Sequence, residues 1–154
     1  MLKAVRPTRH RKTGGHFAII ASQYNARYVD SMLRAARKVL ADAGAESVRV
    51  VRVPGAYEIP LVAAKLARAQ PLSAVICLGV ILRGETQHAQ LIGEAVTSAL
   101  MQLQIWMGVP MVHEVLLLEN RQQAEARCLS PEHNRGAEAA ATAVAMAQVL
   151  KTLR

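Results

Sequence analysis

The chain has 154 residues, of which 52% are hydrophobic and only 3% aromatic, and it carries a formal net charge of +8. This length suffices for one ordinary domain. No apolar run reaches the roughly 18 residues that cross a bilayer, because Arg83 and Glu85 interrupt the best candidate. Two cysteines, Cys77 in an apolar run and Cys128 in a later loop, make no disulfide framework.

In chain order, the first feature is a basic stretch holding Lys3, Arg6, Arg9, Arg11 and Lys12. We read residues 1–15 as a basic, flexible arm and residues 16–154 as a single domain. The following "FAIIAS" is too short for the core of a secretory signal, so a cytoplasmic protein is expected. The positive charge admits nucleic acid by counterion release, but few aromatic side chains offer a stacking surface. No specific nucleic-acid partner is expected, and a small anionic ligand fits the charge equally well.

From "HFAIIAS" onward, short β-branched runs alternate with segments of helical period, the signature of βαβ units on a parallel sheet. The first strand ends near Ser22. Helical spacing then places Val29, Met32, Leu33, Ala36, Val39 and Leu40 on one face before Gly44. "SVRVVRV" alternates valine with arginine and reads as an edge strand, whereas "AVICLGVIL" is continuously apolar and belongs inside the sheet. A helix from about His88 to Met107 carries Leu91, Ile92, Ala95, Ala99, Leu103 and Trp106 as its apolar face. "VPMVHEVLLL" is a fourth strand, followed by helices near residues 120–127 and 137–153, with Pro131 and Gly136 as breakers between them.

Ligands of open α/β sheets bind beyond the carboxyl ends of the strands. "RGETQH" stands there after the third strand, where first-turn amides and the helix dipole favour an anion and Thr86 adds a hydroxyl. His88 follows in the first helical turn, in place to give and take protons. An N-capping threonine and a surface histidine explain the same spacing. "VPGAYEIP" follows the second strand: Gly55 sits in a turn, and Glu58 either accepts from ligand hydroxyls or favours a helix N-terminus. Tyr24, after the first strand, offers a ring to a flat heterocycle or packs locally. His113 and Glu114 lie on the fourth strand. Arg127 and Arg135 bracket the last loop as candidate anion ligands or as ordinary solvated arginines. His88, His113 and His133 lack metal-ligand spacing, and no P-loop, dinucleotide or serine-nucleophile motif is present.

In their order, "SQYN", "VPGAYEIP", "RGETQH" and "NRGAEAA" resemble the lumazine synthase family, over nearly the whole chain from about Phe17. The resemblance implies an α/β fold: a flavodoxin-like three-layer αβα sandwich around a four-stranded parallel sheet. It implies condensation of 5-amino-6-(D-ribitylamino)uracil with 3,4-dihydroxy-2-butanone 4-phosphate, giving 6,7-dimethyl-8-ribityllumazine, phosphate and water. This is the penultimate step of riboflavin biosynthesis, and it implies no metal and no cofactor. It implies a homopentamer, with a decamer or an icosahedral shell as larger forms and riboflavin synthase as a candidate partner.

Carried to this sequence, the resemblance gives Tyr24 to the pyrimidine, Asn25 to the substrate site, and Gly55, Ala56 and Glu58 to the ribityl chain. Val80, Ile81 and Leu82 present backbone to the ring. Glu85 and Thr86 meet the phosphate, with Arg127 of an adjacent subunit and Arg135, where lysine is common, as basic groups. His88 is the acid-base residue. Gln90 replaces a usual acid, His113 a usual phenylalanine and Glu114 a small residue, which implies a weaker base and a reshaped pyrimidine pocket. From these departures comes the alternative of a divergent member that binds a pteridine- or flavin-like ligand without efficient synthesis.

Overall fold

The computed structural model describes residues 12–154; the expected arm at residues 1–11 lies outside the described residues. The element order is β1 (His16–Ser22), α1 (Ala26–Asp42), β2 (Ser47–Val53), a 3₁₀ turn (Ala56–Glu58), α2 (Ile59–Ala69), β3 (Ala74–Leu82), α3 (His88–Met107), β4 (Met111–Leu118), α4 (Arg121–Cys128) and α5 (Arg135–Thr152). From Thr13 onward the chain is tied to the body. Its amide donates to the Ala43 carbonyl at 2.7 Å, and its carbonyl accepts from Lys151 Nζ at 2.7 Å.

All four strands are parallel in the order β2-β1-β3-β4, the start of the flavodoxin-like order. Period-two alternation sorts side chains onto two faces. Phe17, Ile19 and Ala21 of β1 join Ala74, Ile76 and Leu78 of β3 in a core with α1, α4 and α5. Ala18 and Ile20 join Val75 and Cys77 against α2 and α3. The continuous apolar run of β3 follows from its place between β1 and β4, buried on both faces. The valine–arginine alternation of β2 matches its place at the edge.

Three local expectations are corrected. Helix α3 does not bury the face running through Leu91, Ala95 and Trp106. Its buried residues are Ala89, Val96, Leu100 and Leu103, while Leu91 is 61% and Trp106 72% exposed. The helix is apolar on more than one side, so periodicity finds a stripe without showing which stripe meets the sheet. Gly136 does not break a helix but lies in the first turn of α5, where α1 passes too close for a side chain: a Cβ there would collide with the Met32 carbonyl. Cys128 is the last residue of α4 rather than part of a loop, and burial pushes its thiol up to about 11.

Candidate active site

The strand order reverses between β1 and β3: from β1 the chain goes first to β2 on one side, then to β3 on the other. Such a switch point leaves a crevice at the carboxyl ends of the strands. β1 pairs with β3 only as far as Ala21 and Leu78, while β4 continues to pair as far as Leu82. The last residues of β3 therefore present an edge that β1 does not cover.

Asn25 spans this gap. It adopts the left-handed conformation (φ 57°, ψ 42°) that asparagine tolerates better than most residues. From there its Nδ2 donates to the Val80 carbonyl at 2.7 Å. The segment after β1 is also tied to the turn after β2, since Gln23 N donates to the Val53 carbonyl at 2.8 Å and Tyr24 N to the Pro54 carbonyl at 3.1 Å. That turn is stiff as well. Glu58 Oε2 accepts from Gly55 N at 2.9 Å while Glu58 N donates to the Gly55 carbonyl at 3.3 Å, a reciprocal cap. Gly55 lets the ring approach closely: a Cβ there would lie 2.9 Å from Tyr24 Cδ2, so a side chain would displace the ring. The Tyr24 ring thus rests on bare backbone, yet it stays 70% exposed.

Together these parts form a cleft of about 990 Å³, lined by Tyr24, Asn25, Gly55, Ala56, Tyr57, Glu58, Val80, Ile81, Leu82, His88, Leu91, Ile92 and Ala95. This is the upper end of the range for small-molecule sites. Its lining includes two tyrosines, the Gly55–Glu58 turn with its carboxylate, the end of β3, and His88, the first residue of α3. The cleft thus gathers aromatic rings, a carboxylate and an imidazole. The Thr86 hydroxyl accepts from His88 N at 3.3 Å, capping α3 with its own proton left to donate.

Nine of the residues singled out in the sequence thus meet in one cleft: Tyr24, Asn25, Gly55, Ala56, Glu58, Val80, Ile81, Leu82 and His88. Glu85, Thr86, His113, Arg127 and Arg135 do not line it. Glu85 and Thr86 are exposed in the loop before α3. Arg127 lies on α4, its guanidinium donating to the Gln123 carbonyl at 3.4 Å. The Arg135 Nε meets Glu114 Oε1 at 2.7 Å and its NH1 meets Glu138 Oε2 at 3.0 Å, on the α5 side of the sheet. Glu114 thus faces Arg135 and does not line the cleft. It is 5% exposed, and burial raises its carboxyl above the ordinary range against the pull of Arg135. His113 is fixed between Thr97 Oγ1 (2.7 Å from Nε2) and Val115 N (3.2 Å from Nδ1).

Tyr57, Leu91, Ile92 and Ala95 were not anticipated as lining residues. The "VPGAYEIP" stretch carries Tyr57 between two residues that were singled out, and its exposure is the only further signal. The three α3 residues belong to the face that periodicity assigned to the core. Among the described residues, no three His, Cys, Asp or Glu side chains converge as a metal site.

Comparison with known proteins settles the lineage. The family model for 6,7-dimethyl-8-ribityllumazine synthase matches residues 14–151. The chain belongs to that family. It is 42% identical over 139 residues to the 6,7-dimethyl-8-ribityllumazine synthase of Stenotrophomonas maltophilia (strain R551-3), covering 89% of this chain and 90% of the relative. Proteins of the same name from Xanthomonas campestris pv. campestris (strain B100) and Xylella fastidiosa (strain 9a5c) are 38% and 39% identical over 145 residues, with 93% of this chain and 94% of each relative covered. In this member of the lumazine synthase family, the match spans every residue that lines the cleft.

Proposed function

We propose that this chain condenses 5-amino-6-(D-ribitylamino)uracil with 3,4-dihydroxy-2-butanone 4-phosphate to 6,7-dimethyl-8-ribityllumazine, releasing phosphate and water. The observation that carries the reading is the gathering of Tyr24, the Gly55–Glu58 turn, the uncovered end of β3 and His88 around one cleft, in a chain of this family.

In this reading the pyrimidine lies on the Tyr24 ring, with the free edge of Ile81 and Leu82 reading its polar atoms. The ribityl hydroxyls run along Gly55, Ala56 and Glu58. The phosphate of the second substrate docks at the start of α3, where Thr86 donates its hydroxyl and first-turn amides supply partial positive charge. The amine of the first substrate attacks the ketone, and loss of water gives a Schiff base. Phosphate leaves by elimination, and the second nitrogen closes the ring with loss of water. Each step moves a proton, and His88 is the group placed to carry it. Holding two substrates together supplies much of the acceleration, since orientation alone is worth several kcal/mol.

The site is completed by a second copy. Arg127 and His113 do not reach the cleft of their own chain, and an adjacent subunit would bring such groups to its rim. The apolar residues left open on α2 and α3, among them Leu61, Met101, Ile105 and Trp106, support a homo-oligomer, and we propose a pentamer. Arg135, already paired with Glu114 and Glu138, acts there through the fold rather than as a free anion ligand. The deciding experiment mixes the purified protein with both substrates and follows lumazine absorbance and phosphate release. Product well above the uncatalysed rate is expected, and background-level formation by an intact oligomer would overturn the assignment.

A further inference from the structure

The segment 84–87 between β3 and α3 is exposed throughout, and a Cβ placed on Gly84 would meet no atom within 4 Å. No packing holds this loop from the side. Its two ends, however, are joined by one side chain. Arg83 extends the β3–β4 ladder by donating its amide to the Leu118 carbonyl at 2.8 Å. Its Nε meets Glu119 Oε1 at 3.0 Å just past β4, and its NH2 donates to Gln90 Oε1 at 2.9 Å in the first turn of α3. The planar guanidinium, with donors in a fixed fork, thus ties the end of β3, the end of β4 and the start of α3 together.

Gln90 is matched to this place. Its oxygen accepts from Arg83 while its Nε2 donates to Glu94 Oε1 at 2.6 Å, so both halves of the amide are used. A carboxylate at 90 would keep the bond to Arg83 but face Glu94 with like charge. No hydrogen bond joins Gln90 to His88, and two residues apart on a helix their side chains leave in different directions.

We propose that Arg83, locked by Gln90 and Glu119, is a positioning clamp that fixes loop 84–87 and the orientation of His88. This inference rests on the catalytic reading of the cleft, and it assigns Gln90 a role through Arg83 rather than on the imidazole. The polarity of the network supplies its own test. In Gln90→Leu Arg83 loses its acceptor and the clamp opens; in Gln90→Glu the acceptor is kept and only the contact with Glu94 is lost, which the double variant Gln90→Glu/Glu94→Gln restores by exchanging carboxylate and amide.

The experiment compares the parent, Gln90→Leu, Gln90→Glu and the double variant by steady-state kinetics over pH, by sedimentation, and by hydrogen exchange of the peptide spanning 83–90. A displacement of about 1 Å costs roughly a hundredfold in rate. A loosened clamp is expected to lower kcat/KM about tenfold, chiefly through KM for the phosphate-bearing substrate, with faster exchange at 83–90 and an unshifted pH profile. Gln90→Glu and the double variant, which both keep an acceptor for Arg83, should stay close to the parent in both. The clamp is overturned by unchanged exchange in Gln90→Leu, by exchange in Gln90→Glu as fast as in Gln90→Leu, or by a displaced limb of the pH profile in Gln90→Leu, which would put Gln90 on His88 instead. A parent without synthase activity would sink the catalytic reading alone, and the exchange data would still decide the clamp.

Discussion

The two faces of the sheet use apolar residues differently. On the α1–α5 side, Ala139, Ala140, Ala143, Val144 and Ala147 are all buried to within 4% exposure, and Gly136 brings two helices into backbone contact. Even the polar residues there are enclosed, as Glu114 against Arg135 shows. On the α2–α3 side, Tyr57, Leu61, Leu91, Met101, Ile105 and Trp106 are all more than half exposed. One face is closed on itself and the other is open for ligand and partner. Damage to the first should therefore appear as lost stability, and damage to the second as lost activity.

The largest expected effect lies on the open face. His88→Ala should lower kcat by about 10²–10⁴-fold, the range for a positioned acid-base group, while the unfolding midpoint and sedimentation stay at parental values. Loss of assembly together with activity would erase the contrast. Next comes Arg135→Met on the closed face. Removing one partner of a buried pair costs about 3 kcal/mol, read by urea unfolding at pH 7. The sign against pH follows from Glu114. Burial raises its carboxyl above the ordinary 4.5, so the ionised form penalises the folded state at higher pH, and the deficit of the variant should shrink as pH falls toward that value. A deficit independent of pH would mean that Glu114 is not the group left uncompensated.

A smaller loss, about 1–3 kcal/mol from overpacking, is expected of Gly136→Ala, because the new methyl group meets the Met32 main chain rather than a movable side chain. Gly84→Ala is the control: open space surrounds its Cβ position, so its midpoint should stay close to the parent's. Equal losses from both would show that the α1–α5 contact yields without cost.

The closed face was more legible in the sequence than the open one, and for a physical reason. Helix α1 has one apolar stripe and one partner, so spacing alone placed Val29, Met32, Ala36 and Leu40 in the core, where they are fully buried. Strand β3 was placed by its unbroken apolar run. Helix α3 serves the core, the cleft and an open surface at once, and hydrophobicity does not distinguish these uses. Leu91 and Ala95 were therefore assigned to the wrong surroundings. Glu114 shows a different limit. Adjacent residues on a strand point to opposite faces, so alternation alone separates it from His113, but its partner Arg135 is 21 residues away and only the fold brings the two together. Asn25 was marked as a site residue by the family resemblance, yet nothing local announced its left-handed backbone or its bond to Val80.

The finest contrast concerns His113, which ties α3 to β4 on the open face. Thr97 Oγ1 donates to the Gly93 carbonyl at 2.7 Å, so it can only accept from His113, whose Nε2 must carry the hydrogen. Nδ1 then accepts from Val115 N. The neutral ring satisfies both partners, whereas a second proton would set Nδ1–H against the Val115 N–H. Burial works in the same direction, lowering the ring below its ordinary 6.5. A histidine with a depressed folded value contributes stability above its unfolded value, and that contribution is lost as pH falls through the folded value. The parent should therefore lose stability between pH 7 and pH 5 by about 1 kcal/mol, the worth of one such hydrogen bond. His113→Phe should remove that slope. Parallel pH curves for the two proteins would place the acid-sensitive group elsewhere. Acidification thus acts with opposite sign on the two faces, loosening the His113 tie while relieving the buried carboxylate in Arg135→Met; that single variant carries both opposing slopes, and adding His113→Phe to it should leave the carboxylate's slope alone.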